Sequence, residues 1–150
     1  MDDDLIKEAN DRLQESRQHW ADWRTQARED YDFVAGEQWS AEDKQKLIDQ
    51  MRPCVTFNRI APIVDAVSGS EVNNRQEVRY IPREMGDVGV NELLTGAAKW
   101  VRDECDAEDE ESDSFLDTLI CGLGVTETAM DYDEDEEGKV VINRVDPLEM

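Results

Sequence analysis

Histidine is almost missing from this chain of 150 residues: His19 stands alone. A Ser-His-Asp arrangement would have to use it. It lies in a helical stretch beside Trp20, and no nucleophile-elbow glycine pattern accompanies it. A Gly-rich phosphate loop is missing as well, which removes the commonest nucleotide-binding signatures. The three cysteines, Cys54, Cys105 and Cys121, are odd in number and show no Cys-x-x-Cys spacing. Neither a disulfide framework nor a zinc site is expected, and reducing, cytosolic conditions fit best. No apolar run nears the roughly 20 residues of a membrane span. Met1 is followed by three aspartates, unlike the basic and then apolar start of a signal peptide. No internal repeat is visible. Basic residues are scarce: 16 Lys and Arg stand against 38 Asp and Glu, for a net charge of −22. Gripping a nucleic-acid backbone needs clustered cations, and so does an anionic membrane surface, so both are excluded as main functions.

What is present is unevenly spread. Residues 101–150 hold 18 acidic and 3 basic side chains. Hydrophobic residues make up 39% and include four tryptophans, enough for a folded chain of one domain by length. The least acidic and most apolar stretch runs from Arg52 to Arg75, and the flanking segments are expected to pack on it. Arg52-Pro53 favours extended backbone. Val55 and Phe57 alternate with polar neighbours as in a short strand. Asn58 can cap a helix over Arg59–Asn73, and Pro62 falls in its first turn, where a missing N–H costs little. Ile60, Ile63, Val64 and Val67 form one apolar face, which with Phe57 is the expected core.

Upstream, Ile6, Ala9, Leu13, Ser16, Trp20, Trp23, Ala27, Tyr31 and Val34 recur at steps of mostly 3 and 4 with no Gly or Pro from Asp3 to Val34. They predict one amphipathic helix of about eight turns, closed by Gly36. So long a helix outruns a small core. Ile6, Leu13, Trp20 and Trp23 are therefore candidates for a subunit interface, less buried in one chain than the central helix. Trp20 and Trp23 could stack bases, but the acids around them favour apolar packing. Ser40 and Asp43 cap a short helix over Ala41–Gln50.

Downstream, Glu77–Pro82 alternates like a strand that Pro82 ends. Gly86-Asp87 opens a helix to about Cys105, with Val90, Leu93, Leu94, Ala97, Trp100 and Val101 on one face. The acids of Asp106–Asp113 suit the first turn of another helix, whose apolar face is Phe115, Leu116, Leu119, Ile120 and Leu123. Gly122 or Gly124 ends it. Val125–Tyr132 and Lys139–Val145 predict a hairpin around the loop Asp133–Gly138. Asp131, Asp133 and Asp135 match positions 1, 3 and 5 of a calcium loop, but Glu136 and Ile142 stand where its Gly and Glu belong. A solvated acidic tip is the better reading, and the acids of both stretches are expected to face solvent without converging. No catalytic, cofactor-binding or metal residue is expected, and no cofactor. The fold class is α+β and mainly helical: a long N-terminal helix, a buried central helix and a C-terminal β-hairpin.

The order of motifs resembles the N-terminal region of bacteriophage portal proteins, the head-to-tail connectors, of the short-tailed-phage type. Trp23, Ala27, Tyr31, Phe33, Gly36, Gln38 and Trp39 carry it first. Arg52-Pro53, Thr56-Phe57-Asn58, Ile60, Pro62, Val67, Gly69 and Asn74-Arg75 follow. Phe115, Asp117, Cys121-Gly122, Gly124, Asp131-Tyr132, Gly138 and Asp146-Pro147 complete it. Each motif is unspecific, but their order and spacing cover nearly the whole chain. The resemblance implies a structural subunit, not an enzyme, in a ring of copies of itself, usually twelve, at one capsid vertex of the virion. It implies terminase, scaffold, capsid proteins and a tail adaptor as partners, with duplex DNA passing through without specific binding and no membrane involved. Residues 1–150 would then be the wing-like part of a longer chain made in the host cytoplasm, with stem and clip beyond Met150. Like charge on a conduit wall would let the duplex slide. Two other readings remain open: an acidic module mimicking nucleic acid, and a divalent-metal enzyme using the acids of Asp131–Glu137.

Overall fold

The computed structural model describes residues 2–75, 77–83, 88–133 and 136–149. The chain is mainly helical with one C-terminal antiparallel hairpin, an α+β fold as expected. Where length suggested one domain, it divides into two compact units, Met1–Ala61 and Pro62–Met150.

The first unit opens with α1 (Asp2–His19) and α2 (Ala21–Ala35). The single helix expected here is thus interrupted at Trp20, whose backbone turns to φ −88° and ψ −1°. Hydrogen bonds still bridge the break, from Trp20 N–H to Ser16 O at 3.1 Å and from Arg24 N–H to Trp20 O at 2.9 Å. The Arg24 guanidinium donates to the Arg17 carbonyl, so a side chain inserted into the ladder marks the kink. The rings of His19, Trp20 and Trp23 pack edge to face beside it. Ala27 is the buried residue of α2. Gly36 ends α2 in the left-handed conformation, φ 103°, a geometry that costs a residue without Cβ little. Ser40 caps α3 (Ala41–Asp49) by accepting from the Asp43 N–H at 3.1 Å.

Asn58 ties the end of this unit together. Its Nδ2 donates to the Val34 carbonyl at 2.7 Å, and its Oδ1 accepts from Ile60 and Ala61 N–H at 3.1 and 3.2 Å. The cap expected at Asn58 is therefore formed, and it starts α4 (Ala61–Asn73). The strand expected at Val55 and Phe57 is not: residues 52–59 carry no regular structure, and among the described residues β-pairing is confined to the C-terminal hairpin.

The second unit is built around α6. α5 (Val88–Glu104) turns into α6 (Ala107–Cys121) through Asp106, held left-handed at φ 49°. Gly86-Asp87, the expected start of α5, lies outside the described residues. Gly122 closes α6 at φ 79°, as Gly36 closes α2. β1 (Val125–Asp131) and β2 (Lys139–Val145) then pair in register from Val125↔Val145 to Asp131↔Lys139. The hairpin packs on α6, which also touches α5. The approach is close at Gly124, where a Cβ would lie 1.9 Å from the Ser114 carbonyl oxygen. Pro147 is fully buried after β2, and the Asp146 side chain accepts from the Leu148 N–H at 2.8 Å.

The interior departs from the expectation. Its buried residues are small or polar: Ala107, Ser112, Ser114, Asp117, Cys121 and Pro147. The five residues expected as core are not buried in the single chain. Phe57 is 83% and Ile63 60% exposed, Val67 is exposed, and Ile60 and Val64 are half-buried. The extensive packing lies instead among α5, α6 and the hairpin. Residues 77–82 likewise form no strand among the described residues.

Candidate assembly surface

The acids at the start of α6 are mostly exposed, as expected, but arginines from three other segments pair with carboxylates along this helix. Arg75, just past α4, donates to Glu108 at 3.1 Å, Asp109 at 3.0 Å and Ser112 at 2.9 Å. Arg102 of α5 makes a two-pronged pair with Glu111, both bonds at 2.6 Å. Arg144 of β2 grips Asp117 through Nε and through Nη2, the latter at 2.8 Å. Glu110 adds a fourth link by accepting the Arg144 backbone N–H at 2.6 Å.

These pairs differ in weight. Asp117 has 3% of its side chain exposed, so its pair with Arg144 works in low dielectric. Glu111 is held below the ordinary carboxylate range, chiefly by its hydrogen bonds from Arg102, and Arg102 is raised in return. The exposed pairs at Arg75 are screened by solvent and contribute little each. Together the arginines offset part of the acid crowding and fasten α4's end, α5 and the hairpin to α6. Sequence reading missed this network because its partners lie 9 to 37 positions apart.

With that scaffold set, large apolar side chains are left outside. α5 shows Val90, Leu93, Leu94 and Trp100 to solvent, and α4 shows Ile63, Val67 and Val72. In the first unit, the predicted interface residues Ile6, Leu13 and Trp20 are 58%, 50% and 45% exposed, while Trp23 is half-buried. The expected contrast with the central helix is absent, since α4 is equally uncovered. A monomer seldom displays so many large hydrophobics in rows, and such rows mark contact surfaces.

Among the described residues no group of three or more His, Cys, Asp or Glu could hold an ion. Asp131 instead accepts the Asp133 N–H at 2.9 Å, and Asp135 lies outside the described residues. No helix among the described residues is long and apolar enough to cross a membrane.

No curated protein sequence matches this chain. The family model described as phage P22-like portal protein matches residues 10–150, nearly the full length. That is the resemblance the motif order carried, and with it comes a structural role at the phage capsid vertex. The chain belongs to the phage P22-like portal protein family.

Proposed function

We propose that this chain forms the wing-like part of a portal ring, twelve copies around one vertex, through which genome DNA enters and leaves the capsid. The observation that carries this reading is the inverted use of apolar residues. The interior of the second unit is small and polar, while Leu93, Trp100, Ile63 and Phe57 are exposed. A neighbouring copy would cover them. The net charge of −22 suits a wall that phosphates do not adhere to. Terminase, scaffold, capsid proteins and a tail adaptor would dock on the assembled ring, and stem and clip would come from sequence beyond Met150. The chain's part is structural, without catalysis and without cofactor.

The test is assembly. Native mass spectrometry and negative-stain microscopy across a concentration series should show closed rings of one stoichiometry. A chain that stays monomeric throughout would refute the reading. Titration with duplex DNA at physiological salt should show no binding, and a nuclease assay with magnesium or manganese no turnover. Metal-dependent turnover abolished by Asp133→Asn would favour an enzyme, and tight binding of a basic protein by a stable monomer would favour a nucleic-acid mimic.

A further inference from the structure

One edge of the hairpin is covered and the other is open. The Arg144 backbone N–H donates to the Glu110 carboxylate, so it points away from β1. Thr126↔Arg144 is therefore a pair without mutual ladder bonds. By the alternation of an antiparallel ladder, Thr126, Thr128 and Met130 turn their backbone N–H and C=O groups away from β2. α6 serves the β2 edge through Glu110. The β1 edge differs: among the described residues no hydrogen bond reaches these three backbones, and all three residues are exposed. Of the usual guards of an edge strand, β1 has only the charges of Glu127 and Asp131. It holds no Lys or Pro, and its seven pairs run without a bulge.

A strand-like segment without a strand partner lies in the same unit. Tyr80 N–H donates to Thr95 Oγ1 of α5 at 3.1 Å. In extended backbone, residues 78, 80 and 82 address that same side, and Pro82 has no N–H to leave unmet. Glu77, Arg79 and Ile81 then address the opposite side, where a partner strand would lie. Val78, Tyr80 and Ile81 are exposed and favour strands. Charge also matches. β1 carries Glu127 and Asp131 and no base, followed by Asp133. The segment carries Glu77 and Arg79, with Arg83 just past its end, and the Arg79–Glu77 pair is solvated, so Arg79 can turn to a carboxylate of β1.

We propose that residues 77–82 of one copy add as a strand to the open β1 edge of the next copy. The contact joins two different surfaces, so it propagates from copy to copy and closes into a ring when the rotation permits. It rests on the ring reading above and names the surfaces that reading leaves unassigned.

Sedimentation velocity on the chain and its variants tests it. Thr128→Pro removes an outward N–H and spares the β1–β2 ladder. Arg79→Glu reverses the charge of the incoming segment. Each should weaken association roughly fivefold or more, the weight of about one ladder bond, with thermal melting unchanged. Glu127→Arg should restore association to Arg79→Glu. Arg79 faces Glu127 when the segment adds parallel, which sets Ile81 opposite Ala129; in a Cys54→Ser background, mixing Ile81→Cys with Ala129→Cys should then give a disulfide-linked dimer that neither gives alone. Wild-type association with every variant unaffected overturns the proposal and leaves the ring standing. A loss with Thr128→Pro but not with Arg79→Glu means another segment occupies the edge, and overturns it too. A wild-type monomer at all concentrations overturns the ring reading itself.

Discussion

Removing Arg144 should cost more than neutralising its partner. Arg144 is about a third exposed along its side chain, whereas Asp117 is 3% exposed. In Arg144→Ala the Asp117 carboxylate stays inside α6's packed face without its two guanidinium bonds. Losing its guanidinium partner in such a place costs a buried carboxylate about 3–5 kcal/mol. In Asp117→Asn the charge left over belongs to Arg144, which can turn to water, and one neutral bond remains. That change should cost about 1–2 kcal/mol. The Glu110 contact to the Arg144 backbone survives both substitutions, so the hairpin keeps one anchor. A loss of about 3 kcal/mol corresponds to a melting shift of about 12–24 °C for a unit of this size. Urea unfolding followed by tryptophan fluorescence and circular dichroism would measure both. The double variant should recover part of the Arg144→Ala loss, because a neutral amide in place of the carboxylate leaves no stranded ion. The two costs will therefore not add. If Arg144→Ala costs no more than Asp117→Asn, burial of the carboxylate does not govern this pair and the reasoning fails.

Local geometry sets the other outcomes. Gly124→Ala should destabilise the second unit by about 1–3 kcal/mol, because its Cβ would meet the Ser114 carbonyl, which is backbone and cannot swing aside. Gly69→Ala, in α4 with nothing within 4 Å, should stabilise by about 0.5–1 kcal/mol, and chemical denaturation would separate the two signs. Asn58→Ala should cost about 1–2 kcal/mol, since it removes the α4 cap together with the bond to Val34, and faster amide exchange at Ile60 and Ala61 would report it. The Arg102–Glu111 pair sets a pH dependence. Glu111 is depressed in the fold below its ordinary 4.5, so its contribution is present above that pH and is lost as pH falls through the folded value. The melting difference between wild type and Arg102→Gln should hold steady from about pH 7 down to about 5.5 and shrink below about 4.5.

Local signals in the sequence determined the local structure. Ser40 and Asn58 as caps, Gly36 and Gly122 as stops, the start of α6 in acids and the hairpin between Val125 and Val145 all stand where short-range chemistry puts them. Each depends on contacts a few residues apart, so spacing alone reveals it. The kink at Trp20 escaped, because the Arg24 side chain that interrupts the ladder leaves the apolar period unchanged. Strand propensity at Val55–Phe57 and Glu77–Pro82 also misled, because a strand exists only where a second strand meets it. Tertiary structure alone decided which apolar faces are covered. Ile63 and Leu93 have the spacing of core residues and are exposed, whereas Ser114 and Asp117 have no such signal and are buried. The reason is that periodicity marks a face that prefers to leave water without naming what covers it. In this chain Arg75, Arg102 and Arg144 bring distant segments onto α6, so the space beside it is filled by the hairpin and the arginines, and the apolar rows are left for other surfaces.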